Sequence, residues 1–181
     1  MEIAKGIWTV ENFFSAEECA EWIGFAEDLG FGDAPISVGF GKESIRKDIR
    51  NNDRVMIDDE ERALILWQKA REHLPRMIYQ RVAVGLNERL RFYRYDPGQQ
   101  FRTHFDGSFR RPTGEQSHVT FMIYLNEDFE GGETTFLNPE KTVIKPKTGM
   151  MLAFRHEILH EGSEVKSGRK YVLRTDVMFS P

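Results

Sequence analysis

From residue 89 onward the chain is written almost wholly in short extended segments, and that constrains its fold more than any other feature. Residues 90–95 alternate, Asp96-Pro97-Gly98 turns the chain, and 101–105 resumes the extended pattern. Residues 119–125 form an apolar run that stops at Asn126. Phe129-Glu130-Gly131-Gly132 reads as a loop and 133–136 and 141–145 as short strands. Pro146-Lys147-Thr148-Gly149 turns into 150–154, and two last segments, 158–165 and 170–179, flank a Ser167-Gly168 turn.

Helices come first. Ser15-Ala16-Glu17-Glu18 has the form of a capping box, and Cys19, Trp22, Ile23, Phe25, Ala26 and Leu29 follow at helical spacing until Gly30. A second helix is predicted from Asp58-Asp59, carrying Ala63, Leu64, Leu66, Trp67, Ala70 and Leu74. Pro75 interrupts it, and a further helical stretch is predicted through Tyr79. Residues 31–57 are too polar for an element and read as a loop, either a lid over a site or a plain solvated connection. Helices followed by many short strands predict an α+β, mainly β chain whose strands form a β-sandwich or jelly roll. One domain spans 1–181 in this reading, with 1–88 as helical N-terminal support and polar loop and 89–181 as the β core.

Bulk properties exclude several classes of function. Twenty-five basic against 29 acidic residues give a net charge of −4, so nothing global draws the chain to nucleic acid or an anionic membrane. No apolar run approaches the ~18 residues of a membrane span. The single cysteine, Cys19, leaves no intramolecular disulfide and no cysteine-based zinc site, and is expected on the buried side of the first helix. Met1-Glu2-Ile3-Ala4-Lys5 does not open like a signal peptide. A reducing cytoplasmic location is the expectation.

The chemistry sits in His104-Phe105-Asp106 and in His160 far downstream. On a strand, residues two apart project from one face, so His104 and Asp106 are expected to point at one metal. Two imidazoles and a carboxylate are the donor set that holds non-haem Fe(II) and leaves positions open for a cosubstrate and O2. His156, four residues before His160, is a rival for the third position, whereas His118 opens an apolar strand and reads as structural. His160 is preferred because Glu161-Gly162 follows it and a basic residue, Lys170, stands ten positions on. A dicarboxylate chelating iron would leave a distal carboxylate to be neutralised inside the barrel, which requires a cation and hydrogen-bond donors. Lys170 is the candidate, Arg174 on the same face is the second choice, and Arg169 faces the other way. Tyr124, Tyr95 and Thr120 are candidate hydrogen-bond donors in the same pocket.

These blocks, in their order along the chain, resemble the prolyl 4-hydroxylase and lysyl hydroxylase branch of the 2-oxoglutarate/Fe(II) oxygenases. The similar text is Tyr95-Asp96-Pro97-Gly98-Gln99-Gln100-Phe101, His104-Phe105-Asp106, Tyr124-Leu125-Asn126 and Gly131-Gly132-Glu133-Thr134-Thr135-Phe136. Pro146-Lys147-Thr148-Gly149, His160-Glu161-Gly162 and Gly168-Arg169-Lys170 complete it, and together they cover roughly residues 89–179. The resemblance implies a double-stranded β-helix with N-terminal helices packed on one sheet. It implies Fe(II) on His104, Asp106 and His160, and 2-oxoglutarate held by Lys170 with Tyr124 and Tyr95 in its pocket. It also implies consumption of O2, with succinate and CO2 as coproducts, and ascorbate as an optional reductant. Halogenating relatives carry a small residue in place of the carboxylate ligand, so Asp106 points to hydroxylation. The N-terminal half shows no peptide-binding signature, which leaves a prolyl residue and a small molecule both open as substrate.

Arg110 and Arg111, in the 107–117 segment after the ligands, are expected to border the site, with Arg155 and the series Arg46, Arg50 and Arg54 adding positive charge. Two other readings compete. A cupin-like metalloenzyme would act without 2-oxoglutarate, but cupins place a second histidine close after the first. A non-catalytic jelly-roll binding module would not need His104, Asp106, His160 and Lys170 together.

Overall fold

The computed structural model describes residues 1–39, 42–137 and 140–181. In chain order its first half runs β1 (Glu2–Ala4), β2 (Ile7–Val10), α1 (Ala16–Leu29), β3 (Gly32–Asp33), β4 (Ile36–Gly39) and β5 (Lys42–Ser44). Then come β6 (Asp53–Asp58), α2 (Glu60–Ala70), β7 (Met77–Ile78) and β8 (Arg81–Leu86). The second half is all strands. These are β9 (Arg89–Tyr95), β10 (Phe101–His104), β11 (Gln116–Tyr124), β12 (Phe129–Gly131) and β13 (Thr134–Phe136). They continue with β14 (Thr142–Ile144), β15 (Met151–Arg155), β16 (His160–Gly162), β17 (Val165–Gly168) and β18 (Lys170–Phe179).

A large antiparallel sheet is ordered β1-β2-β15-β11-β18-β9-β6-β3, with β8 pairing the end of β18 and β7 pairing β8. A smaller sheet, β10-β16-β13-β14, faces it, and β12 pairs with β17. This is the jelly roll expected, mainly β with two α-helices among the described residues.

Side-chain alternation divides the large sheet into two faces. Phe121 and Ile123 of β11, Phe92 of β9, Ala153 of β15 and Leu173 of β18 face a core shared with Phe14, Cys19 and Ala26 of the helical layer. Trp22 of α1 stacks on Phe14 at 6.2 Å and packs against Phe92 at 5.8 Å. Met122 and Tyr124, Tyr93 and Tyr95, Leu152 and Phe154 face the other way, into the space between the sheets. Both faces of β11 are therefore buried, so it reads as an unbroken apolar run rather than an alternating one.

Several expectations change: Phe129–Gly131, read as loop, is the strand β12, and the one segment read over 158–165 is split into β16 and β17. The stretch 31–57 is not a loop: β3, β4, β5 and β6 lie in it, with residues 40 and 41 outside the described set. β6 joins β9 by charge as much as by apolar contact, with Asp53 opposite Arg94 and Asp58 opposite Arg89 in the register. The ion pairs close at 2.9 Å each. Such cross-strand pairs stabilise a sheet without leaving a hydrophobic period to read. Nor does a helix follow Pro75. A 3-10 turn, Arg71–His73, precedes it, and the chain then forms the β7–β8 hairpin, with Tyr79 and Gln80 at φ 52° and 63° as its two-residue turn.

Gly149 shows how tightly α1 is docked. At φ +73° a Cβ there would lie 2.0 Å from the Phe14 carbonyl oxygen, and Phe14 N–H donates to Gly149 O at 3.0 Å. Gly98 has φ +83° with nothing near. Gly98→Ala is expected to lose only the left-handed preference, about 1–2 kcal/mol, and Gly149→Ala distinctly more, because backbone must move as well. Urea midpoints of the two variants measure the difference.

Candidate metal and cosubstrate site

β10 and β16 run antiparallel with His104 and His160 as direct cross-strand partners. β10 ends at His104, so Asp106 is not its strand neighbour. The chain turns after the histidine, and Asp106 N–H donates to His156 O at 3.2 Å. The expected convergence of His104 with Asp106 is reached by that turn rather than by strand alternation. His104 Nε2 lies 3.6 Å from Asp106 Oδ1, and His160 Nε2 lies 3.7 Å from Asp106 Oδ2. One donor atom from each of the three falls within 4.8 Å of the others.

Both imidazoles are oriented in the same way. His104 Nδ1 is 2.7 Å from Arg102 O, and His160 Nδ1 is 2.9 Å from Ile158 O. A backbone carbonyl can only accept, so each ring carries its proton on Nδ1 and turns its Nε2 lone pair inward. His104 Nε2 is buried and has no hydrogen-bond partner among the described residues. Burial lowers the His160 imidazole to about 4, which keeps it neutral. Phe101 stacks on His104 at 3.5 Å, and Phe154 meets His160 edge-on at 4.5 Å, so both rings are held from outside. Two imidazole nitrogens and a carboxylate, one nitrogen orphaned, fit a divalent metal.

Asp106 is held at both oxygens. Thr120 Oγ1 donates to Oδ2 at 2.5 Å, and Arg174 Nη2 lies 2.9 Å from Oδ1. Burial works to raise this carboxyl, but Arg174 and the two histidines hold it well below the usual carboxylate range. Arg174 and Thr120, expected in the cosubstrate pocket, are thus engaged with Asp106.

Lys170, Val172 and Arg174 alternate along the inner face of β18 and line one cavity with His104, His160 and Tyr95. Lys170 is 3% exposed, and its Nζ donates to Gly132 O at 2.6 Å. The amine lies 5.2 and 5.4 Å from the ring centres of Tyr95 and Tyr124. Burial brings it down to about 7, against an opposing pull from Glu133. Tyr124 is fully buried and shares a 2.6 Å hydrogen bond with Thr134 instead of opening onto the cavity.

The model of the 2OG-Fe(II) oxygenase superfamily matches residues 90–175, a span that takes in the three metal-donor candidates and Lys170. Over those residues the chain is similar to that superfamily. Prolyl 4-hydroxylase 1 of Arabidopsis thaliana is 27% identical over 133 residues, covering 72% of this chain and 46% of that protein. The chain therefore spans about half the length of that relative. The viral collagen prolyl hydroxylase of Paramecium Bursaria Chlorella virus-1, solved as its 2OG complex, superposes with a TM-score of 0.69 at 25% identity over 99% of both chains. A Pseudomonas putida prolyl-4-hydroxylase shares the fold, with a TM-score of 0.72 at 19% identity over 95% of this chain and 92% of that one.

Not every candidate of the sequence falls in this site. His156 is buried beside it and faces Asp176 at 3.5 Å. His118 packs edge-on against Tyr79 at 5.4 Å. Arg169 points outward and pairs with Asp96 at 2.5 Å. Arg110 bonds Gln116, Arg111 is held by Glu88 and Glu115, Arg46 pairs with Asp48, and Arg155 lies over Tyr79. Arg50 and Arg54 do line a cavity at the triad, together with Arg91 and Asp176, which the sequence did not single out. Phe101 and Thr134 were missed as well; strand alternation alone cannot say which aromatic ring will stack on a ligand.

An amine lowered to about 7 in the fold and ordinary when unfolded opposes folding. The unfavourable contribution is absent above the unfolded pKa, grows as pH falls towards 7, and is complete below it. Lys170→Met is expected to raise stability at pH 6.5 by roughly 1–3 kcal/mol after loss of the Gly132 hydrogen bond, and by nothing near pH 11. Thermal melts at the two pH values test this.

Proposed function

We propose that this chain is a 2-oxoglutarate-dependent hydroxylase that inserts one oxygen atom into an unactivated C–H bond of a protein residue, prolyl in type, or of a small molecule. One observation carries the reading. Two inward-facing imidazole nitrogens, with the Asp106 carboxylate against them, line one cavity together with a buried amine. His104, Asp106 and His160 would hold Fe(II), which when bound supplies the site for O2 and for the keto acid of 2-oxoglutarate. Lys170 would neutralise the distal carboxylate of that cosubstrate, with Tyr95 on the cavity wall and Tyr124 supporting the amine. Thr120 and Arg174 fix the orientation of Asp106 and keep it ionised. Phe101, Phe154 and Val172 line the cavity with apolar surface and limit the entry of water. Ascorbate would serve as an accessory reductant.

The two other readings fare worse. A metalloenzyme independent of 2-oxoglutarate has no use for an amine buried opposite the metal. A binding module has no use for two histidines whose orphaned or inward nitrogens meet a carboxylate. We take residues 1–181 as one folding unit, because β2, β6 and β8 complete the sheet that carries the site. No helix among the described residues is long and apolar enough to cross a membrane. A cytoplasmic setting suits ferrous iron, and nothing in the net charge of −4 favours nucleic acid.

The chain reconstituted with Fe(II) is expected to convert 2-oxoglutarate to succinate. His160→Ala should weaken metal binding by roughly 100-fold or more, whereas His156→Ala should stay within about tenfold. Succinate formation that survives His160→Ala, or none from iron-loaded unaltered protein, would sink the reading. A carboxylate docked on Lys170 favours the ammonium form, so binding above about pH 7 takes up a proton. The Kd for 2-oxoglutarate should then rise about tenfold per pH unit above 7.5 and be flat below 6.5. Calorimetry in buffers of different ionisation enthalpy measures that uptake.

A further inference from the structure

Beside the triad lies a second, wider cavity that shares Tyr93, Phe101, His104 and Arg174 with the first. Four arginines line it, Arg50, Arg54, Arg91 and Arg174, against two carboxylates, Asp106 and Asp176. Both acids are engaged: Asp106 with Arg174 at 2.9 Å and Asp176 with Arg91 at 3.1 Å.

Arg50 is in a different position. It is 5% exposed, and its Nε donates to Asn52 Oδ1 at 2.7 Å. Its guanidinium carbon lies 4.3 Å from the Tyr93 ring centre and 4.5 Å from that of Phe101. Its Nη2 is buried with no hydrogen-bond partner among the described residues. An amide and two rings orient a guanidinium, but they do not cancel its charge. The backbone of Arg50 also bridges to Phe101, at the start of the strand that ends in His104, so its place relative to the triad is set. The field is felt nearby. Burial alone would raise the Tyr93 phenol, but Arg174, Arg50 and Arg91 bring it down to about 8.

A desolvated cation with an unused donor is unfavourable until a counter-charge arrives. The planar fork of arginine matches carboxylate and phosphate oxygens. We propose that this cavity receives the primary substrate through an anionic group, a carboxylate or a phosphate, docked on Arg50 beside the triad. The inference rests on the hydroxylase reading and deepens it: the anion anchors the molecule, and its distance from the triad selects which C–H bond is presented. A prolyl segment would then be taken with an acidic neighbour or a free carboxylate, and a small molecule as its acid or phosphate ester.

The test uses the full chain loaded with Zn(II) and saturating 2-oxoglutarate, so that nothing turns over. It is titrated calorimetrically with N-acetyl-L-proline, with the neutral N-acetyl-L-prolinamide, and with inorganic phosphate. At least one anion should bind about tenfold or more tightly than the amide, and less so as salt is raised. A carboxylate preference and a phosphate preference distinguish the two sources of charge. Arg50→Gln should abolish the preference and Arg50→Lys retain part of it, with thermal melts verifying that both variants fold. The acid–amide comparison on the unaltered chain does not depend on either variant. An amide bound as tightly as the anions, no anion bound at roughly 10 mM, or a preference unchanged in folded Arg50→Gln overturns the inference. Succinate formation by the iron-loaded unaltered chain, run in parallel, separates the failures. No succinate sinks the hydroxylase reading, whereas succinate without anion preference sinks only the anionic substrate.

Discussion

The antiparallel pairing of β10 with β16 sets His104 directly across from His160, and the rest of the site depends on that register. A slip of one residue would send one imidazole to the opposite face of the small sheet. The two rings are also held alike: each has a carbonyl two residues before it, Arg102 O on β10 and Ile158 O in the turn ahead of β16, and each ring's Nδ1 is spent there. What remains on each ring is a lone pair pointing inward. Asp106 then needs only a turn after β10 to meet both nitrogens.

The large sheet divides its work between its faces. Towards the helices it is apolar, with Phe92, Phe121, Ile123 and Leu173 packed on the α1 layer. Towards the small sheet the same strands carry Thr120, Lys170, Arg174 and Asp176, all of them buried or nearly so. Charged groups held out of water weaken a fold unless paired. Arg174 pairs with Asp106 and Arg91 with Asp176, but Lys170 has only a carbonyl and two rings. The apolar face supplies the stability that the inner face gives up, at roughly 1.5–3 kcal/mol for each large side chain it buries. Function is therefore concentrated on one side of a sheet whose other side does the holding.

Much of this was legible because it is local. The capping box at Ser15 forms as read, with Ser15 Oγ accepting from Glu18 N–H and the Glu18 side chain from Ser15 N–H. Most strands from residue 89 on lie where their turn residues place them, but Phe129–Gly131, read as loop, is β12. The single segment read over 158–165 is divided between β16 and β17, which runs on through Ser167-Gly168. Strand alternation put Arg169 outside and Lys170 inside, as observed. Residues 31–57 failed to read as strands because β6 is stitched to β9 through Asp53–Arg94 and Asp58–Arg89, a pattern indistinguishable from solvated charge. Arg110 and Arg111 were credited with lining the site by their nearness to the ligands in sequence. Their acidic and amide partners draw them elsewhere, and Arg91, on a different strand, takes the wall instead.

The amino-acid order by itself determined which residue types were present for metal chemistry, the extended character of the second half, and which side chains share a face along β18. These follow from periodicity and from the chemistry of imidazole, carboxylate and amine, none of which needs a partner strand. Tertiary structure alone decided that Arg174 would serve Asp106, that Tyr124 would bond Thr134, and that Arg50 would be buried between two rings with a donor to spare. Each is a meeting of distant strands, and register and burial arise only when the sheets close upon each other.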